Sequence, residues 1–143
     1  MIRTYQDKDF PKIIAIWLEA QTMAHPFLQP DFVKTVKDMM EQHFIPNSKT
    51  WVYQNDQTVI GFIAMMQNEI GGLFVMPNEQ QRGVGGMLLA YVEKFHEHLE
   101  VEVFDKNRIG KPFYFKHGFI QTSQYTHEAT NEKVLRLIRI NTN

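Results

Sequence analysis

The most constraining feature of this sequence is a glycine-rich turn that joins an apolar run to an amphipathic helix. The apolar run 69–75 is followed by a polar, glycine-rich stretch at 79–86. Apolar residues then recur at helical spacing, at Leu88, Leu89, Val92 and Phe95. They predict a helix that ends near His96. Because glycine lets a backbone approach a ligand closely and the first N–H groups of a helix attract anions, the pattern predicts a phosphate or pyrophosphate site.

Spacing separates this turn from other phosphate-binding designs. A P-loop needs Gly-Lys-Ser or Gly-Lys-Thr, and neither occurs in the chain. A dinucleotide fingerprint needs Gly-x-Gly-x-x-Gly/Ala directly after a strand. Here Gly83-Val84-Gly85-Gly86-Met87-Leu88 ends in leucine and begins eight residues after Val75, although Asp105 would suit a ribose. A helix start that glycine merely eases, with no ligand, is the remaining alternative.

Around this turn the sequence predicts one α/β or α+β domain that spans residues 1–143. Apolar runs bounded by turn residues predict strands at 2–6, 51–54, 58–66, 69–75, 99–104, 119–126 and 134–140. Apolar residues at helical spacing predict helices that begin at Asp7 or Asp9, near Asp31, after Gly86 and near Arg108. The segment Pro46-Asn47-Ser48 is expected to end the second helix and Gly118 the last. The resulting order is β α α β β β α β α β β.

The composition excludes several classes of function. The chain has no cysteine, which excludes disulfides, cysteine-ligated zinc and a cysteine nucleophile. A net charge of -1 gives no bulk electrostatic reason to expect a nucleic-acid partner. No apolar run predicts a membrane span or an export signal, and His96 and His98 lack the further ligands of a metal site. We therefore expect a cytoplasmic protein without a metal, whose state as monomer or homodimer the sequence leaves open.

Two blocks of sequence carry a resemblance to a known family. Gln80-Gln81-Arg82-Gly83-Val84-Gly85 resembles the Gln/Arg-x-x-Gly-x-Gly/Ala signature of the GNAT superfamily of acetyl-CoA-dependent N-acetyltransferases. The block 107–119 is similar to the family's Asn-x-x-Ala-x-x-Phe-Tyr-x-Lys-x-Gly-Phe, with Gly110 where alanine is usual. His25-Pro26-Phe27 resembles a motif of small bacterial members, some of which acetylate protein lysines. The resemblance covers nearly the whole chain.

The resemblance implies a fold and a co-substrate. The fold is a mixed, mostly antiparallel central sheet of about six or seven strands with a splayed pair, flanked by about four helices. The co-substrate is acetyl-CoA, whose pyrophosphate lies against backbone N–H groups of the glycine turn, while the N–H of Phe74 or Val75 stabilises the oxyanion. The residues implied in its binding are Phe74, Val75, Gln80, Gln81, Arg82, Gly83, Val84, Gly85, Gly86, Asn107 and Tyr114.

Tyr114 and Glu69 are the catalytic candidates that the resemblance implies. The Tyr114 phenol is protonated at neutral pH and can supply a proton to the departing thiolate, although an aromatic at this position also suits core packing. Glu69 is the candidate base and a substrate contact. In a regular strand it points to the same face as Val75, six residues later, although a solvated acid at a strand start is an equal alternative.

The resemblance implies that the loop between the first two helices helps to form the acceptor pocket. His25 and Phe27 are its candidate substrate-binding residues, and the ordinary pKa of histidine suits acid–base work near neutrality. A hydrogen bond between helix and loop is the alternative for His25, and core packing is the alternative for Phe27.

The sequence thus predicts an N-acetyltransferase that transfers acetyl from acetyl-CoA to a primary amine by direct attack in a ternary complex. The amine is a protein lysine, an N-terminus or a small molecule. The alternatives are a non-catalytic sensor or subunit that binds CoA or acyl-CoA, and a nucleotide-dependent oxidoreductase.

Overall fold

One seven-stranded sheet organises the protein. The structure, a computed structural model, describes residues 1–141. The strands are β1 (Ile2–Thr4), β2 (Lys49–Asn55), β3 (Thr58–Met66), β4 (Glu69–Val75), β5 (His98–Phe104), β6 (Ile120–Thr126) and β7 (Lys133–Ile140). Their spatial order is β1-β2-β3-β4-β5-β7-β6. All neighbours are antiparallel except β4 and β5, which run parallel.

Five helices connect these strands: α1 (Phe10–Ala24), α2 (Pro30–Met39), α3 (Ile45–Asn47), α4 (Val84–Glu93) and α5 (Gly110–Lys116). The wide π turns of Met40–Phe44 join α2 to α3, and single 3-10 turns form at Asp7–Asp9 and Pro77–Glu79. In the described residues 1–141, no helix has the length and apolar character needed to cross a membrane.

The element order predicted from the sequence is confirmed, and 58–66 and 69–75 are strands with the predicted bounds. Helical conformation ends at Asn47, within the predicted segment 46–48. Pro46 itself lies in the first turn of α3, where its missing N–H is not needed. The first strand stops at Thr4 instead of Gln6, because the Gln6 N–H donates to Asp9 Oδ2 and begins the next turn.

Two apolar clusters pack on opposite faces of the sheet. On one face α4 and α5 cover the sheet, and Leu88 and Leu89 are fully buried against strand residues such as Ile63 and Val101. On the other face α1 packs through Ile13 and Ile16. Burying each such side chain stabilises the fold by about 1.5–3 kcal/mol. The sheet therefore separates the molecule into an α4/α5 side and an α1/α2 side.

Strands β4 and β5 separate after a single short stretch of pairing. Only Glu69 pairs with Glu100 and Ile70 with Val101. Along β4, Ala64 pairs with Gly72 and Met65 with Ile70, which leaves Gly71 as an extra residue in a bulge.

The bulge at Gly71 reverses the alternation of side chains along β4. Ile70 and Val75 both pack in the α4/α5 cluster, although they are an odd number of residues apart. Glu69 therefore lies on the α1/α2 face, where Phe74 also packs. The prediction that Glu69 and Val75 share a face is wrong for this reason.

Candidate active site

A cavity of about 340 Å³ crosses the sheet where β4 and β5 separate. Its lining comes from both faces, because α1 and α2 contribute Trp17, Val33 and Val36, whereas α5 contributes Gly110 and Tyr114. Further lining residues include Gln21, His25, Leu28, Phe32, Glu69, Gly71, Gly72, Leu73, Phe74, Glu102, Phe104, Asn107, Tyr125 and His127. Two reactants that enter from opposite faces of the sheet can therefore meet at this gap.

The backbone of β4 presents free N–H groups to the gap. The Met76 N–H donates to Ile60 O at 2.8 Å, so the N–H of Met76 points toward β3. Since backbone groups alternate along an antiparallel strand, the Phe74 N–H also points toward β3, whereas the N–H groups of Leu73 and Val75 point toward the gap. Of the two predicted oxyanion donors, Val75 rather than Phe74 has its N–H directed there.

Tyr114 reaches the cavity from α5. Its side chain is 7% exposed, and its ring packs edge-on against Phe113 and Phe119. Burial raises the pKa of the Tyr114 phenol, and neither a charge nor a hydrogen bond from the described residues opposes this. The hydroxyl therefore stays protonated throughout the physiological pH range and can act as a proton donor but not as a base.

Carboxylates supply the charge of the cavity wall on the α1/α2 side. Glu69 and Glu102 line it, and among the described residues no lysine or arginine does. Arg136 is 2.6 Å from Glu102 and 3.7 Å from Glu69, and the Tyr125 hydroxyl donates to Glu102 at 2.8 Å. Burial raises the pKa of Glu69, while Arg136 opposes the shift. Glu69 is thus the less tightly paired of the two carboxylates.

His25 and Asn107 meet at the other end of the cavity. Asn107 Nδ2 and His25 Nε2 are 3.2 Å apart. The His25 ring packs edge-on against Phe27 and Phe104, and burial lowers the pKa of His25 to about 4. The expectation that His25 titrates near neutrality is therefore wrong, because burial removes the water that would stabilise its charged form. Phe27 does not line the cavity among the described residues but supports two residues that do, His25 and Phe104.

The glycine turn lies beyond the end of β4, outside this cavity. Gln81 and Gly83 have positive φ angles of 68° and 83°, and a Cβ at Gly83 would meet nothing within 4 Å. The first helical hydrogen bond of α4 is the one that the Met87 N–H donates to Gly83 O at 2.9 Å. The preceding N–H groups of Val84, Gly85 and Gly86 are therefore free of helical partners, an arrangement that suits an anion.

The side chains next to the turn are mostly structural. Gln80 Nε2 donates to Val75 O at 3.0 Å and ties the turn to the strand end. Arg82 is largely exposed and lies 3.2 Å from Glu79. Among the described residues the turn thus offers backbone N–H groups, with Arg82 as the neighbouring cation.

The structure brings Phe74, Tyr114, Asn107, His25 and Glu69 into one cavity, as the sequence predicted for a shared site. The lining residues that sequence reasoning missed include Phe104, Glu102, Tyr125 and His127. The alternation of Leu99 to Phe104 did indicate that Glu102 faces away from the core. The sheet order that brings the β6–β7 hairpin next to β5 had no signal in the local sequence.

Comparison with known proteins decides the family. A family model described as an acetyltransferase (GNAT) domain matches residues 5–133. The chain belongs to the GNAT family of acetyltransferases. This match confirms the predicted family. As a member of it, the protein is an acyltransferase.

Curated relatives of this GNAT chain include two enzymes from Escherichia coli strain K12. It is 33% identical over 120 residues to the peptidyl-lysine N-acetyltransferase YiaC, covering 83% of this chain and 82% of that protein. It is 26% identical over 124 residues to the peptidyl-lysine N-acetyltransferase YjaB, covering 86% and 84%.

Solved structures show the same fold. The apo form of YjaB from Escherichia coli aligns with a TM-score of 0.86 at 24% identity, covering 96% of this chain and 95% of that one. The PaiA N-acetyltransferase from Thermoplasma acidophilum, solved in complex with coenzyme A, aligns with a TM-score of 0.77 at 18% identity, covering 95% and 96%. The predicted mixed, mostly antiparallel GNAT sheet is confirmed.

Proposed function

We propose that this protein transfers acetyl from acetyl-CoA to the side-chain amine of a lysine, by direct attack in a ternary complex. One observation carries the proposal: the cavity crosses the sheet at the gap between β4 and β5. On the α4/α5 side lies Tyr114, and on the α1/α2 side lies Glu69. A donor bound along the splayed strand and an acceptor entering past α2 would reach the same point.

The residues around the gap fit acetyl-CoA. The free N–H groups of Val84, Gly85 and Gly86, with the left-handed turn at Gly83, suit a pyrophosphate. The unpaired edge of β4 suits the amide groups of pantetheine, which would pair with it as an added strand does. The Val75 N–H would then donate to the thioester oxygen and stabilise the negative charge that develops there.

The other wall of the cavity fits a lysine side chain. Trp17, Val33, Val36 and Phe74 provide apolar surface for its aliphatic stem, and Glu69 and Glu102 attract its ammonium group. The peptidyl-lysine activity in the names of YiaC and YjaB supports this acceptor class. A small polyhydroxylated amine would leave much of the apolar wall unmatched.

The chemistry requires three proton movements. The ammonium must lose one proton before the amine attacks, and Glu69 is our candidate base because burial raises its pKa. The nitrogen–carbon bond then forms, and as the carbon–sulfur bond breaks Tyr114 donates a proton to the leaving thiolate. The new amide nitrogen loses its second proton, which restores the Tyr114 hydroxyl. The absence of cysteine from the chain supports direct transfer over a thioester-linked enzyme intermediate.

We place this activity in the cytoplasm, in a single domain of residues 1–143, with no nucleic-acid or membrane partner. The near-neutral charge and the lack of cysteine support this assignment.

The test measures CoA release with two matched peptides. One has a blocked N-terminus and a single lysine, and the other has a free N-terminus and arginine in place of that lysine. We expect turnover of the first peptide and little of the second. Turnover of the second alone would refute the lysine assignment. Binding of CoA by calorimetry without turnover of either peptide or of small amines would favour the non-catalytic sensor.

A further inference from the structure

The Asn107 side chain is fixed at the start of α5. Its Oδ1 accepts the backbone N–H of Ile109 at 3.0 Å and that of Gly110 at 2.8 Å. The residue is 8% exposed. Only the amide oxygen can accept both bonds, so the orientation of the Asn107 amide is determined.

The Asn107 Nδ2 faces His25, which is 82 positions earlier in the chain. Because Nδ2 can only donate, His25 Nε2 must accept, and the ring must carry its proton on Nδ1. If Nε2 carried the proton, two N–H donors would face each other at 3.2 Å. Phe27 and Phe104 hold the ring edge-on on two sides, so the acceptor atom has a fixed position.

The helix that Asn107 caps carries Tyr114. Helix α5 has only seven residues, so its start depends strongly on this cap. A Cβ at Gly110 would lie 2.6 Å from Asn107 Nδ2, which explains why glycine stands where alanine is usual in the family. Tyr114 follows Gly110 by one helical turn and projects into the same cavity.

We propose that His25 is a positioning residue, which holds the Asn107 cap through its Nε2 and thereby sets the place of the Tyr114 hydroxyl. A chain of hydrogen bonds thus runs from the loop after α1, on the acceptor side, to the helix that carries the proposed acid. His25 does not transfer a proton itself. This inference rests on the proposed acetyl transfer, because positioning has a catalytic meaning only if Tyr114 acts in turnover.

The first test compares leucine and glutamine at position 25. His25→Leu keeps much of the volume but removes the acceptor, and His25→Gln places an amide oxygen close to Nε2. Since an unpaired buried donor is costly, we expect kcat for a lysine peptide to fall about tenfold in His25→Leu, with a smaller change in KM. We expect His25→Gln to recover most of that loss. Equal losses in both variants, or none in either, would overturn the proposal.

His96 provides the matched control. It is also a hydrogen-bonded histidine, with Nδ1 3.0 Å from Asn68 Oδ1, and it does not line the cavity. We expect His96→Leu to lower the melting temperature without a specific loss in kcat. A loss in kcat equal to that of His25→Leu would show that removing a histidine hydrogen bond acts only through general stability.

The second test needs no variant and no activity. Nitrogen-15 NMR of the unaltered protein should show His25 as the Nδ1–H tautomer, with no titration between pH 5 and 8. A His25 that carries its proton on Nε2, or titrates in that range, would overturn the proposal even if every variant misfolds. If the unaltered protein turns over no lysine peptide, the proposed function is refuted. The NMR experiment does not depend on that activity, so the two failures can be told apart.

Discussion

Replacing Gly71 with alanine should drive the Phe44 ring out of its place. A Cβ at Gly71 would overlap two carbons of that ring. Gly71 is the extra residue of the β4 bulge, so the backbone can move away only by disturbing the pairing with β3. Overpacking of this kind costs about 1–3 kcal/mol. Each kcal/mol corresponds to roughly 2–4 °C in a chain of this size, so we expect a loss of about 5 °C in melting temperature.

A double-mutant cycle measures whether the ring is the cause. Phe44 is half-buried, so Phe44→Ala alone should cost about 2 kcal/mol, roughly half the cost for a fully buried phenylalanine. In the Phe44→Ala background, Gly71→Ala should cost close to nothing, which gives a coupling of about 2 kcal/mol. Urea unfolding of the four proteins provides the numbers.

The control for this cycle uses Phe95, a largely exposed phenylalanine at the end of α4. Gly71→Ala and Phe95→Ala should be additive within about 0.5 kcal/mol. Additivity of Gly71→Ala with Phe44→Ala as well would refute the reasoning, because the cost would then arise from the strand backbone and not from the ring.

Four further predictions concern the site and its supports. Tyr114→Phe should lower kcat by about 10²–10⁴-fold while CoA affinity by calorimetry and the melting temperature change little, because no described residue loses a partner. Gly83→Ala, at a φ of 83°, should cost about 1–2 kcal/mol and weaken CoA binding. In the unaltered protein, the rate should fall on acidification at a pH above the ordinary pKa of glutamate, because burial raises the pKa of Glu69. Glu69→Gln should remove this fall from the pH–rate profile. Arg3 lowers the pKa of Asp9, so stability to urea should fall with acidification from about pH 4 downward, and Asp9→Asn should reduce that dependence to the part that Glu100 and Asp105 contribute.

The regular parts of the fold could be predicted because their burial pattern is local. Alternation or an apolar run is enough to define β3 and β4, whose predicted bounds are confirmed. The helix ends were less predictable. The helix α5 begins at Gly110, two residues after the predicted start near Arg108, and the segment before it is a turn in which Asn107 Oδ1 accepts the N–H groups of Ile109 and Gly110.

The candidate site was predictable where motifs are contiguous and not where distant segments meet. The block 107–119 places Asn107 directly before the short helix that carries Tyr114. The meeting of Glu102 with Tyr125 at 2.8 Å depends on β7 lying between β5 and β6, and the sequence order alone does not specify that arrangement. The predicted face of Glu69 was also wrong, because the bulge at Gly71 inverts the alternation of side chains along β4.

The bulge at Gly71 also explains why β4 has unpaired backbone N–H groups beside the cavity. A bulge bends its strand and increases its twist, and β4 loses its pairing with β5 directly after Ile70. Beyond that point the N–H groups of Leu73 and Val75 have no strand to bond with, although both residues lie in a sheet of seven strands. Unpaired backbone donors beside a cavity are costly unless a ligand bonds to them. The interruption of pairing therefore creates both the gap at which the cavity crosses the sheet and the backbone donor that our proposed reaction uses.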